Sequence, residues 1–266
     1  MKAFVIDPSE CSGCYSCQLV CKDEHCGNDW TPYAKPQPDT GQFWGKLIET
    51  ERGDTPQVKV SYVFVPCQHC VDAPCIQSCP VEAIYTRDDG LVIIDPKKCT
   101  GCRLCVDSCP YGTIYFNTQL RIAQKCTGCA HLVDRRTVFA PRCADACGHE
   151  AILFGEEGDL DISNTETLHP EYELTTRVHY KNLPKKFVAG TVYDSTSKEV
   201  VIGAVCELSG AAGAASVTTD DFGDFWIEGL EDGAFTLTIT SGSNTKTITG
   251  DTTDKDIGLG DIDISV

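Results

Sequence analysis

Sixteen of the chain's 18 cysteines fall into four groups of four, and every group closes on an x3 step. Cys11, Cys14, Cys17 and Cys21 read C-x2-C-x2-C-x3-C. Cys67, Cys70, Cys75 and Cys79 read C-x2-C-x4-C-x3-C-P. Cys99, Cys102, Cys105 and Cys109 read C-x2-C-x2-C-x3-C-P, and Cys126, Cys129, Cys143 and Cys147 read C-x2-C-x13-C-x3-C. No other feature restricts the fold as sharply, because each quartet has to converge on something that takes four thiolates.

A [4Fe–4S] cube offers one terminal ligand position on each of its four irons. Three cysteines at x2 spacing on a tight loop reach three corners, and the cysteine after the x3 step ligates the other cluster of a pair. That fourth cysteine is expected to start a helix, with Pro80 or Pro110 in the first turn where a missing N–H costs nothing. The second and third groups then pair. One cluster takes Cys67, Cys70, Cys75 and Cys109, and its neighbour takes Cys99, Cys102, Cys105 and Cys79. The first and fourth groups pair by the same crossing rule, giving Cys11, Cys14, Cys17 and Cys147 for one cluster and Cys126, Cys129, Cys143 and Cys21 for the other. Zinc sites use separated C-x2-C pairs, which the runs of three do not suit. Disulfide frameworks belong to short secreted chains. A nucleophilic cysteine stands alone near a histidine, not in repeated quartets.

Other residues near the motifs have plainer readings. His25, His69, His131 and His149 sit beside cysteines and could replace a ligand, but complete quartets make that unnecessary. Cys26 is read as a small buried residue outside the first group. Lys22, Lys97, Lys98, Arg103 and Lys125 are either solvated surface charge or counter-charge that raises cluster potentials.

The expected fold is α+β: two pseudo-symmetric two-cluster ferredoxin-like units, then a seven-stranded antiparallel β-sandwich or barrel. Residues 1–155 form the four-cluster part, with an outer unit at 1–27 plus 118–155, an insertion at 28–62 and an inner unit at 63–117. Short strand-forming runs flank the loops, and "PVEAIYTRDDGLVIIDPKKC" against "PYGTIYFNTQLRIAQKC" is a visible internal repeat. The insertion carries Trp30 and Trp44 and is too long for a bare loop, which implies partial structure or a contact surface. Residues 156–185 read as an irregular connector. Residues 186–266 switch to period two in seven short segments bounded by Gly, Asp and Ser, with Cys206 on a strand as core.

Formal net charge is −17. Residues 187–266 hold 14 Asp/Glu against 3 Lys, net −11, and the rest hold 25 acidic against 19 basic side chains, net −6. A basic face for phosphate is missing, so nucleic acid is excluded as a partner. No run approaches the roughly 18 apolar residues of a membrane helix, so direct membrane insertion is not expected. The N-terminus lacks a signal-peptide apolar core, so the expected location is the cytoplasm, unless a partner subunit carries the chain through export.

The motifs "PCQHCVDAPCIQSCPVEAI", "CTGCRLCVDSCPYGTI" and "AQKCTGCAHLVDRR" resemble the iron–sulfur electron-transfer subunits of dimethyl sulfoxide reductase-family molybdopterin oxidoreductases. The resemblance implies four [4Fe–4S] clusters. It also implies an anaerobic oxidoreductase heterodimer with a large catalytic subunit carrying molybdenum or tungsten on two pyranopterin guanine dinucleotides. This chain would then be non-catalytic, relaying electrons between that subunit and an external donor or acceptor. "RVHYKNL" before a β domain resembles the small subunits of pyrogallol–phloroglucinol transhydroxylase, resorcinol hydroxylase and catechol dehydroxylase, implying a polyphenol substrate on the partner. The transhydroxylase branch has lost the third cysteine group. Here Cys99, Cys102 and Cys105 are present, which favours a relative that exchanges electrons with an outside partner. "GTVYD", "VIGAVCEL" and "TTDDFGDFWIEGLEDGAFTLTI" resemble carboxypeptidase-regulatory or transthyretin-like β domains, implying a structural or docking role. A stand-alone polyferredoxin with a docking β domain is the alternative reading.

Overall fold

The KAFVI run forms strand β1 (Lys2–Ile6), with four of its five residues buried. Such a continuous apolar strand is covered on both faces. The structure, a computed structural model, describes residues 1–135 and 140–265. Its chain divides into two units, Met1–Glu49 with Tyr62–Leu183, and Thr50–Ser61 with the residues from Pro184 onward.

In the first unit β1 leads to α1 (Ser16–His25). A hairpin of β2 (Lys46–Asp54) and β3 (Gln57–Val65) follows, its outer part falling in the second unit. Then come α2 (Pro74–Gln77), β4 (Ile84–Thr86) and β5 (Val92–Ile94). The same pattern repeats as α3 (Leu104–Ser108), β6 (Tyr115–Asn117) and β7 (Ile122–Gln124). The unit closes with α4 (Ala130–Val133), α5 (Arg142–Asp145), β8 (Ile152–Glu156) and β9 (Val178–Tyr180). β4 pairs with β5 and β6 with β7, both antiparallel. Helix α2 packs on α3, and α1 on α5. The inner and outer pairs of cysteine groups therefore each place two helices back to back.

Two expectations are corrected here. The x3 cysteines do not start helices. Cys75, Cys105 and Cys143 lie inside α2, α3 and α5, and Cys79, Cys109 and Cys147 come just after those helices end. Pro80 and Pro110 stand in the following turns, where proline stops a helix because it cannot donate an N–H and clashes with the preceding turn. Cys21 is the exception, being inside the longer α1. Residues 156–185 are also more than an irregular connector. β9 pairs in parallel with β1, Val5 opposite His179, while β8 pairs antiparallel on the other edge, Phe4 opposite Phe154. Tyr180 is wholly buried and donates its hydroxyl to Phe64 O, so this segment helps close the first unit's core.

The second unit contains β10 (Lys186–Asp194), β11 (Glu199–Val200), β12 (Val205–Gly210) and β13 (Ala215–Thr218). β14 (Asp224–Leu230), β15 (Ala234–Ser241), β16 (Asn244–Asp251) and β17 (Ile257–Asp263) complete it. One sheet runs β11-β10-β14 with β17 also on β10, and the other runs β13-β12-β15-β16. Alternate residues point inward, as Phe235, Leu237 and Ile239 do on β15, and both sheets feed one core through Val188, Phe225, Ile227, Cys206, Leu208 and Leu237. The expected all-antiparallel pattern fails at one place. β17 runs parallel to β10, which is possible because the intervening strands supply the crossover a parallel pair needs. The short β11 adds a strand to the seven expected segments. At the hairpin's outer part, Arg52 makes a two-pronged ion pair with Asp256, at 2.9 and 2.7 Å. Among the described residues, no helix is long and apolar enough to cross a membrane.

Candidate metal centres

Each C-x2-C loop turns through left-handed backbone just before its second cysteine. Gly13, Gly101 and Gly128 occupy that position with φ of 70°, 75° and 61°. Glycine is required there on two counts at Gly101, where a Cβ would strain the backbone and overlap the Arg121 carbonyl oxygen. His69 holds the same place in the second loop at φ 44°. The turn folds the two thiols of each loop toward one side.

Four convergent sets result. Cys11, Cys14, Cys17 and Cys147 line one cavity with Ile6, Leu47, Tyr62, Phe64 and Ile152. Cys67, Cys70, Cys75 and Cys109 line a second with Val92, Tyr111 and Ile114. Cys79, Cys99, Cys102 and Cys105 line a third with Ile84, Ile94 and Ala123. In the fourth set Cys143 faces Cys129, Cys21 and Cys126, and all four are buried. In every set the cysteine after the x3 step meets thiols from a different group.

Neighbouring sets share buried clusters, in a line. Cys17 of the first lies beside Cys21 and Cys143 of the fourth. Cys126 of the fourth lies beside Cys67 of the second, and Cys75 of the second beside Cys105 of the third. The ends of that line carry the exposed cysteines, Cys14 and Cys102.

Burial pushes Cys17, Cys70, Cys105 and Cys129 up to about 12, and Cys75 and Cys126 up to about 11, with neighbouring thiolates adding to it. Burial raises Cys21 and Cys143 well above the ordinary thiol range. Such groups become thiolates only when a cation takes the proton's place. Cys14, at the surface, goes the other way, lowered by the Ser16 hydroxyl and amide. All-sulfur donors of this kind suit a soft metal, and the apolar walls keep water out. Backbone N–H groups already point at sulfur, from Ala83 to Cys79 at 3.3 Å, Ala123 to Cys99 at 3.4 Å and Gly128 to Cys126 at 3.4 Å. Among the described residues, no three His, Cys, Asp or Glu side chains are placed to hold a single metal ion. Three of the quartets line cavities and the fourth is buried, which fits a cluster with one iron per thiolate.

The histidines have partners of their own. His25 donates from Nδ1 to Cys21 O at 2.8 Å, and burial lowers it to about 4, so it is neutral. His69 Nδ1 accepts from the Val92 amide at 2.9 Å, and His131 Nε2 meets Glu24 at 3.0 Å. His149 is exposed and lines the first cavity. Cys26 is partly exposed and 3.4 Å from Asp39, not buried as its composition suggested; Cys206 is wholly buried in the second unit's core. Arg136, the last residue of the "AQKCTGCAHLVDRR" motif, lies outside the described residues.

Sequence reasoning missed Tyr62 and Phe64, which wall the first cavity from alternate positions of β3. Their period-two spacing was visible, but nothing local told that this strand returns to Cys11. It also missed Gln68, buried at the second cavity, which donates to Pro66 O and to the Tyr180 hydroxyl.

A family model described as a 4Fe-4S dicluster domain matches residues 58–157. The pyrogallol hydroxytransferase small subunit of Pelobacter acidigallici is 36% identical over 269 residues, covering 96% of each chain. A putative dimethyl sulfoxide reductase iron-sulfur subunit of Halobacterium salinarum is 35% identical, over 64% of this chain and 71% of the relative. A tetrathionate reductase subunit of Salmonella typhimurium is 31% identical, over 70% and 74%.

Proposed function

The chain belongs to the iron–sulfur electron-transfer subunits of dimethyl sulfoxide reductase-family molybdopterin oxidoreductases, and on that premise we propose that it carries four [4Fe–4S] clusters arranged as one electron-transfer line. The ligands are Cys11, Cys14, Cys17 and Cys147 for the first; Cys67, Cys70, Cys75 and Cys109 for the second; Cys79, Cys99, Cys102 and Cys105 for the third; Cys21, Cys126, Cys129 and Cys143 for the fourth. The observation that carries this reading is the crossed gathering of sixteen cysteines into four sets, each ringing a space or fully buried. The buried clusters they share support the order first, fourth, second, third, with Cys14 and Cys102 at the outer ends.

When bound, each cluster takes up or gives back one electron at a time. The chain's own residues hold, orient and insulate. Thiolates supply the terminal ligands, backbone amides donate to sulfur, and Leu47, Phe64, Val92 and Ile94 exclude water. No acid, base or nucleophile is required of this subunit. The nested layout is read as one two-cluster ferredoxin-like unit held between the halves of another, and residues 186–266 as a carboxypeptidase-regulatory or transthyretin-like β-sandwich with a structural or docking role.

The partner is a large subunit with molybdenum or tungsten on two pyranopterin guanine dinucleotides. The near full-length similarity to a pyrogallol hydroxytransferase small subunit supports a polyphenol as that partner's substrate. The intact Cys99, Cys102 and Cys105 support electron exchange with an external donor or acceptor.

Anaerobic isolation from the native source, followed by metal counting, tests the reading. About sixteen irons per chain with one molybdenum or tungsten is the expected result. About twelve irons would leave one quartet empty and cut the proposal to three clusters. Iron with neither heavy metal would replace the proposal with a stand-alone polyferredoxin.

A further inference from the structure

Five basic side chains lie near the cysteine groups, and their surroundings separate them. Lys97, Lys98 and Arg103 are exposed, and Arg103 lies over the Phe116 ring at 4.0 Å. Lys22 is half-buried and donates to the Pro38 and Gly41 carbonyls. Lys125 alone of the five is buried, with 2% of its surface exposed. Its ammonium donates to Val92 O and, at 3.0 Å, to Cys126 O. It also lies within electrostatic reach of the thiols of Cys67, Cys75 and Cys126. Among the described residues no carboxylate forms an ion pair with it.

An ammonium taken out of water without a counter-charge is costly. Two carbonyl dipoles do not supply a counter-charge. The groups able to carry negative charge that act most strongly on Lys125 are the sulfurs of two adjoining sets, two from the second set and one from the fourth. Its position is thus matched to negative charge held on those sets, and a fixed positive charge close to a cluster favours its reduced form.

Resting on the reading that these quartets hold [4Fe–4S] clusters, we propose that Lys125 is the positioning residue that raises the reduction potential of the cluster on Cys67, Cys70, Cys75 and Cys109. A smaller rise falls on its neighbour on Cys21, Cys126, Cys129 and Cys143. Lys125 therefore makes the middle of the line the place where an electron is held most readily, and among the described residues the two ends have no buried lysine of this kind. The role belongs to the charge and its placement. Lys22, Lys97, Lys98 and Arg103 do not share it.

The experiment is an EPR-monitored redox titration of the anaerobically isolated complex, comparing wild type with Lys125→Met and, as a control, Lys98→Met. At unchanged iron content, Lys125→Met is expected to lower the one-electron reduction equilibrium of one middle cluster at least tenfold, which is about 59 mV. A second cluster should shift less, and Lys98→Met should move none. Unchanged midpoints in a fully loaded Lys125→Met variant overturn the inference while leaving the clusters themselves established. Should that variant lose iron, wild type grown with lysine labelled with 15N at Nζ alone decides by pulsed EPR: a 15N coupling in the signal of one reduced cluster is expected, and its absence from every cluster's signal overturns the inference. Wild type that holds no iron at all would end the iron–sulfur reading itself.

Discussion

The two units solve the problem of a core in different ways. The second has one continuous apolar interior, built from two sheets whose inward residues interlock, with Cys206 as its only thiol. The first has several small clusters, and each contains cysteines. One groups Ala73, Ile84, Val92, Ile94 and Ile114 around Cys75 and Cys105, and another sets Trp44 and Ala34 against Cys21, Cys67 and Cys126. Its helices α2 to α5 are four or five residues long, too short to be stable from backbone hydrogen bonds alone. What the second unit obtains from burying hydrocarbon, the first must obtain from what the thiolates bind. Metal affinity there is folding free energy.

The largest expected effect follows directly. Stripping iron with a chelator under anaerobic conditions should unfold the first unit and leave the second folded. Hydrogen exchange followed by mass spectrometry reads both at once. Amides of β4 to β7 and of the cysteine loops are expected to lose protection, while those of β12, β15 and β16 keep it. Retained protection in β5 after complete iron removal would show that the small apolar clusters suffice and would erase the contrast.

The converse change should strike only the other unit. Leu237 is wholly buried at the centre of β15, facing Leu208 across the sheet. Leu237→Ala is expected to destabilise the second unit by about 2–5 kcal/mol, from lost transfer energy and the cavity left behind. Iron content should not change. Thermal unfolding followed by tryptophan fluorescence, with iron counted beforehand, checks both parts. Loss of iron in this variant would mean that the first unit depends on the second to stay loaded.

The same contrast explains what could be read from sequence. Ligand spacing is a covalent constraint, so the four cysteine quartets were legible from x2 and x3 steps alone, and the proposed crossing of Cys79, Cys109, Cys21 and Cys147 to other groups builds on them. Helix placement was not, because proline suits both the start of a helix and the turn after one, and Pro80 and Pro110 take the second role. The period-two segments after residue 186 were legible as strands, since alternation reports burial directly. The parallel partnership of β17 with β10 was invisible, because alternation is the same in either direction. β9 escaped notice because three residues in a polar stretch carry no periodicity, and it is fixed by what it meets, the backbone of β1. Lys125 could be placed beside a cysteine but not buried, since "QKC" looks like any surface lysine.

Acid should separate the units in a graded way, and it is the smallest effect. In the second unit, hydrogen bonds from Ser195 and then Ser265 hold the Asp263 carboxyl well below its ordinary value of 3.8. A carboxyl depressed in the folded state contributes stability that is fully present above 3.8 and is lost as pH falls through its folded value. Asp263 is open to solvent, so its share is modest. The first unit meets acid differently: protons compete with metal for thiols that burial has already made weak acids, such as Cys17 and Cys70, both up to about 12. Iron release should therefore begin at a higher pH than any loss of Tm in the second unit. Wild type and Asp263→Asn, compared by calorimetry between pH 6 and pH 2, should show a small Tm difference in the second unit near neutrality that narrows progressively as pH falls below 3.8. A gap that stays constant down to pH 2 would mean the Ser195 and Ser265 hydrogen bonds stabilise the neutral carboxyl equally. Acid tolerance of that unit would then rest on its apolar core alone.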